Sequence, residues 1–147
     1  MKYYIIAGEA SGDLHGANLM KALYQQDLDA TIHYWGGDLM QQAGGTLVKD
    51  YRDLAFMGFI EVLFNLRTIL KNITLCKKNI DAFQPDVLIF IDYPGFNMRI
   101  AKWAKKKGIP FFIPYPELNK IEKKNDILEF NNILLKAIKH PEYHYLA

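Results

Sequence analysis

The run Asp86-Val-Leu-Ile-Phe-Ile91 places five apolar residues in a row behind a single acid. A sheet with one wet face alternates apolar and polar residues. A short unbroken run instead marks a strand buried on both faces, as in a parallel sheet covered by helices on each side. The opening segment, Lys2 to Ala7, has the same aromatic and β-branched character and ends at a small-residue turn from Gly8. Ala30 to Trp35 supplies a further strand, with shorter candidates at Thr46 to Val48 and Ile109 to Ile113.

Helical periods fill the gaps. From about Asp13 to Gln26, Gly16, Leu19, Met20 and Leu23 share a face. Gly36-Gly37-Asp38 signals a turn before a short helical piece ending near Gly44-Gly45. Phe59 to Phe83 reads as one long helix or two in series, with Ile60, Leu63, Leu66, Leu70 and Ile73 as the apolar stripe and Pro85 as the stop. Phe96, Ile100 and Trp103 mark another helix, closed by Lys105-Lys106-Lys107 and Gly108. Strands alternating with helices predict an α/β fold, a Rossmann-like open parallel sheet with right-handed crossovers.

Half of the 147 residues are apolar, enough for one domain with a real core. Composition shifts after Pro114, so the expected division is a domain over 1–113 and a divergent charged helical tail over 114–147. Within the tail, Asn119 to Lys139 carries a modest stripe of Ile127, Phe130, Leu134 and Ile138, and His140 to Ala147 reads as a loose end. A formal charge of +2 is too small to indicate a nucleic-acid partner. The one cysteine, Cys76, allows no internal disulfide and fits a reducing cytoplasm. No apolar run approaches the ~20 residues of a membrane span, so any membrane contact is expected to be peripheral.

The loop Gly8-Glu9-Ala10-Ser11-Gly12-Asp13 sits between a strand and a helix, where α/β sheets present backbone N–H groups to ligands. It matches neither G-x-G-x-x-G nor the P-loop, which disfavours ATP or NAD. Ser11 or Asp13 also suits a plain helix N-cap. Glu9 and Asp92 both follow strands and are expected at one crevice outside the carboxyl ends. There a partly desolvated Asp92 beside a second acid is suited to take a proton from a sugar hydroxyl. It equally suits a cap for the helix opening near Pro94-Gly95.

Phe59, Ile60, Val62, Leu63 and Phe64 cover most of a helix circumference, which suits either an acyl-chain groove or membrane patch, or a helix enclosed on two sides. Lys102, Lys105, Lys106 and Lys107 read as a solvated helix face or a contact for anionic headgroups. His140 and His144 are four apart, but Pro141 lies between them and no third ligand accompanies them, so no metal site is expected.

Four blocks in order, Ala7-Gly-Glu-Ala-Ser-Gly-Asp13 with Gly16-Ala17, Gly36-Gly37 with Met40, Leu54-Ala-Phe-Met-Gly-Phe-Ile-Glu-Val62, and Ile91-Asp-Tyr-Pro-Gly-Phe-Asn97, resemble the lipid-A-disaccharide synthase family. The resemblance runs from about Met1 to Ile113. It implies the N-terminal half of a GT-B glycosyltransferase, whose members join UDP-2,3-diacylglucosamine to 2,3-diacylglucosamine 1-phosphate with inversion and release UDP. On that resemblance Asp92 is the base and Asn97 orients it or the acceptor. Glu9, Ser11 and Gly12 line the acceptor cleft, while Phe56, Met57, Phe59, Ile60, Leu63 and Leu66 meet acyl chains at the inner membrane. No metal or organic cofactor is implied. The family's Ser-Pro and Trp-rich segment and donor domain have no counterpart after Pro114. The expectation is therefore a truncated form that binds a UDP-sugar donor only if a donor domain is supplied, with little transfer on its own. The alternative is a non-catalytic glycolipid-binding or interaction module.

Overall fold

The computed structural model describes residues 1–54 and 66–113. Five strands form one parallel sheet: β1 (Lys2–Ala7), β2 (Thr31–Gly36), β3 (Thr46–Asp50), β4 (Val87–Ile91) and β5 (Phe111–Phe112), in the order β3-β2-β1-β4-β5. Four helices accompany them: α1 (Ala10–Gln26), α2 (Asp38–Ala43), α3 (Leu66–Phe83) and α4 (Pro94–Lys107), with a 3-10 turn at Tyr51–Asp53.

The sheet grows from β1 in one direction through β2 and β3, then restarts on the other side with β4 and β5. Crossovers of one hand must then place their helices on opposite faces before and after the restart. The core divides accordingly. Tyr3, Ile5 and Ala7 of β1 join Val87, Ile89 and Ile91 of β4 beneath α1 and α2. Tyr4 and Ile6 join Leu88 and Phe90 beneath α3 and α4. Every residue of β4 is buried, as its unbroken apolar run requires.

Two buried polar tips find each other in the second layer, where the Trp35 indole Nε1 donates to the Tyr4 hydroxyl at 2.9 Å. Cys76 is a free thiol buried in the same cluster. At the edge of that layer His33 stacks on Phe83, with ring centroids 3.8 Å apart and planes 15° from parallel. Burial, aided by Lys2, lowers the His33 pKa below its ordinary value.

The structure moves several expected boundaries. α1 begins at Ala10 rather than Asp13, and β3 extends to Asp50. β5 holds only Phe111 and Phe112 of the expected Ile109–Ile113, because only those two residues pair with β4. The stripe of α3 also shifts: Ile73, Cys76 and Ile80 are buried and Ile69 and Phe83 pack beside them, whereas Leu70 is 49% exposed. A spacing of 4, 3, 4 and 3 follows the 3.6-residue turn around the helix axis, and Leu70 lies off that line. α4 ends as its composition predicts, with three lysines in its last turn and Gly108 in the left-handed region at φ 70°. The segment 55–65, which contains most of the expected acyl-contact residues, and the expected tail with its two histidines lie outside the described residues.

Trp35→Phe is expected to destabilise the fold by about 2–4 kcal/mol, since it removes buried volume and the indole donor to the Tyr4 hydroxyl. In a Tyr4→Phe background the same change should cost about 1 kcal/mol less, as measured by urea unfolding of the four proteins in the cycle.

For His33 the unfolded chain binds the extra proton more readily than the folded one. Stability therefore rises with pH between the lowered folded value and the ordinary value near 6.5, and is lost as pH falls through the folded value. A His33→Phe variant should show a flatter midpoint-versus-pH curve across that window in urea titrations.

Candidate functional site

In an open parallel sheet, ligands bind outside the carboxyl ends of the strands where the winding direction reverses. That point lies here between β1 and β4, whose last residues Ala7 and Ile91 stand directly paired. The loops leaving the two strands are thereby held side by side, and both are rich in chemistry-bearing side chains.

The Ser11 hydroxyl, in the first turn of α1, donates to Asp92 Oδ2 at 3.1 Å, joining the two loops across 81 residues of sequence. Asp92 is exposed, so the partial desolvation expected for it is not observed. Its other carboxylate oxygen has no protein hydrogen bond among the described residues. Gly12 makes this contact possible: a Cβ there would lie 3.2 Å from the Ala7 Cβ and 3.3 Å from Asp92 Oδ2. Glu9 is exposed at the same rim and acts on Tyr93, whose hydroxyl pKa is raised by burial first and by the Glu9 charge second.

Both capping alternatives are overturned. The N-cap of α1 is Glu9, with no side-chain cap bond, which leaves Ser11 and Asp13 inside the helix and free to reach other elements. The N-cap of α4 is Tyr93, again with no side-chain cap bond, so Asp92 does not cap α4.

Asp92 and Tyr93 hold left-handed backbone angles, φ 53° and 52°. Two consecutive non-glycine residues in this region are costly and persist only where their surroundings enforce them. Asn97, 3% exposed, supplies part of that enforcement, since its Nδ2 donates to the Asp92 carbonyl at 2.5 Å and to the Ile91 carbonyl at 3.5 Å. Its Oδ1 is buried with no partner among the described residues. Thus Asn97 sets the backbone that aims Asp92, and no bond between the two side chains is seen. The Tyr93 ring stacks on Phe96 with centroids 5.3 Å apart and lies over Gly8, where a Cβ would fall 2.4 Å from the ring.

Asp13 has a role the sequence reading missed. It is 4% exposed, and its carboxylate accepts from the backbone N–H groups of Gly37 at 2.7 Å, Leu39 at 3.0 Å and Met40 at 3.1 Å. The anion-binding end of α2 is therefore filled by the chain's own acid, which ties the β2–α2 turn to α1. A signal existed: Asp13 lies in helical register with Gly16 and Met20, so it is an acid on a buried stripe. Arg52 closes the same corner with bonds to Asp38 and Asp50, and this pairing lowers the Asp50 pKa.

Among the expected site residues, Glu9, Ser11, Gly12, Asp92 and Asn97 come together. Phe56, Met57, Phe59, Ile60 and Leu63 lie outside the described residues, and Leu66 enters only as the first residue of α3. No group of three metal-ligating side chains forms among the described residues.

Residues 3–115 match the family model of lipid-A-disaccharide synthetase. The chain belongs to this family. Over 108 residues it is 44% identical to the lipid-A-disaccharide synthase of Syntrophus aciditrophicus, covering 74% of this chain and 28% of that one. Over 107 residues it is 46% identical to the enzyme of Geobacter metallireducens, covering 71% and 27%. The chain thus spans just over a quarter of the length of these curated relatives. Among solved structures it is similar to a UDP-GlcNAc 2-epimerase from Neisseria meningitidis bound to UDP-GlcNAc, with a TM-score of 0.52 and 13% identity over 89% of this chain and 44% of that one. That likeness supports the Rossmann-like, GT-B-type half expected from the sequence. The rim built by Glu9, Ser11 and Asp92 lies within the residues that match the family.

Asp13→Ala is expected to destabilise the fold by about 2–4 kcal/mol by orphaning three backbone N–H groups. Amide hydrogen exchange at Gly37, Leu39 and Met40 should accelerate in the variant well beyond that of β1.

Proposed function

We propose that this chain provides the acceptor half of a lipid-A-disaccharide synthase, holding an acylated glucosamine phosphate at the β1–β4 rim for attack on a UDP-sugar. The observation that carries the reading is the Ser11–Asp92 hydrogen bond at the point where the sheet reverses direction. It fixes one carboxylate oxygen and leaves the other directed to an incoming hydroxyl.

Inversion requires a single base on the acceptor side. Asp92 removes the proton from the acceptor hydroxyl as that oxygen bonds to the donor's anomeric carbon, while the bond to UDP breaks on the opposite face. Glu9, Ser11 and Gly12 line the cleft, and Asn97 holds the Asp92 backbone in its left-handed turn. Segment 56–66 meets the acyl chains, and the domain over 1–113 is the acceptor-binding unit. The UDP-sugar is bound by a donor domain, and transfer takes place at the inner membrane with both halves brought together.

The test has two arms. Titration with 2,3-diacylglucosamine 1-phosphate in detergent micelles should move the backbone NMR signals of Glu9, Ser11 and Asp92. With a donor domain added, UDP release from both diacyl sugars should fall about 10²–10⁴-fold in Asp92→Ala, with acceptor affinity nearly unchanged. Acceptor binding with no transfer under any donor supply would favour a non-catalytic glycolipid-binding module. A silent spectrum would sink both readings.

A further inference from the structure

Tyr93 carries a group that the packing of the rim does not use. It stands next to Asp92 on the same left-handed turn. Its ring stacks on Phe96 and lies over Gly8, which clamps the turn after β4 against the loop after β1. That clamp needs a ring and not a hydroxyl. The tyrosines of β1 do use their hydroxyls, Tyr3 donating to Asp27 and Tyr4 accepting from Trp35. The hydroxyl of half-buried Tyr93 has no hydrogen-bond partner among the described residues.

Glu9 follows Gly8 directly, and its charge reaches that hydroxyl. The Glu9 side chain is exposed and makes no cap bond to α1, so its carboxylate is open to a ligand. A phenol kept protonated by burial donates a hydrogen bond, whereas a carboxylate only accepts. The guest that satisfies both must accept from one and donate to the other. An ester carbonyl only accepts, and a phosphate is repelled by the two rim acids. An amide does both, but its N–H and C=O point in opposite directions. A sugar hydroxyl accepts and donates through a single oxygen.

The proposed acceptor, 2,3-diacylglucosamine 1-phosphate, carries substituents at positions 1, 2 and 3, and its ring closes through position 5. Its free hydroxyls are therefore those at positions 4 and 6. One has to meet Asp92, and the other has to be kept away from it. We infer that the Tyr93 hydroxyl, together with Glu9, binds the acceptor's non-reacting hydroxyl and so fixes which of the two is presented to Asp92. The inference rests on the acceptor proposed above and makes Tyr93 the residue that sets the regiochemistry of the linkage, with no proton passing through it.

Titration of the 147-residue chain in detergent micelles with the acceptor and with its 4-deoxy and 6-deoxy analogues tests this. One analogue should bind the unaltered chain at least about tenfold more weakly than the acceptor. Tyr93→Phe keeps the ring on Gly8 and Phe96. It should weaken binding of the acceptor and of the other analogue about three- to tenfold, and leave the already weakened analogue unchanged. Glu9→Ala should follow the same pattern, since no cap bond is lost with it. With a donor domain added, the analogue insensitive to Tyr93 should still support UDP release, because it keeps the reacting hydroxyl, and the other should not. Equal losses from Tyr93→Phe for all three ligands would overturn the inference, as would no loss for any of them. So would a Tyr93-insensitive analogue that proves to be the one unable to react. Each of these results leaves acceptor binding at the rim in place, whereas failure of the unaltered chain to bind the acceptor brings down the proposed function and this inference together.

Discussion

Pairing of β1 with β4 is the constraint on which the rest of this molecule depends. The two strands are remote in sequence, yet Tyr3 to Ala7 match Val87 to Ile91 residue for residue. Burial on both faces leaves no freedom of register, because a slip by one residue would exchange the side chains of the two core layers. The same pairing brings Gly8 under Tyr93 and Gly12 against Asp92. Close approach of the two loops is therefore a consequence of core packing, and the rim chemistry inherits its precision from the hydrophobic effect.

Around that axis, polar groups are tied down in different ways on the two sides. Toward β2, Asp13 fills the N-terminal end of α2 with a buried carboxylate, and its three bonds are all to backbone N–H groups. Toward β4, Asp92 stays exposed, and among the described residues its carboxylate accepts one hydrogen bond, from Ser11. A carboxylate enclosed by donors is a structural fastener. One held by a single hydroxyl and facing solvent retains lone pairs for another partner. Asp13 lies inside α1 and Asp92 in the turn after β4, and of the two only Asp92 keeps capacity for chemistry.

Much of this was legible in the sequence, for identifiable reasons. The unbroken run at 87–91 announced a doubly buried strand, and the glycines after β1 and β2 announced tight strand-to-helix turns. Gly108 and three lysines announced the end of α4. Local rules failed where a side chain served a distant element. Ser11 and Asp13 have the composition of an N-cap, yet each bonds across the fold instead, leaving Glu9 at the cap position. The stripe of α3 was misread through Leu70, since a spacing of four from Leu66 is compatible with more than one helical face until the sheet selects one. The left-handed pair at Asp92 and Tyr93 had no composition signal, because neither residue is glycine.

That pair links stability to site geometry. A glycine at either position would relax the backbone without strain, but it would remove the carboxylate or the ring packed against Gly8 and Phe96. The chain keeps both side chains, and Asn97 holds the turn from within the first helical turn of α4. The strain is local, while the groups that enforce it belong to the core: Asn97 and Phe96 are both 3% exposed. Loosening the second core layer would therefore be felt first at Asp92, before the sheet itself gives way. In this way the burial that defines the fold also sets the direction of the Asp92 carboxylate at its rim.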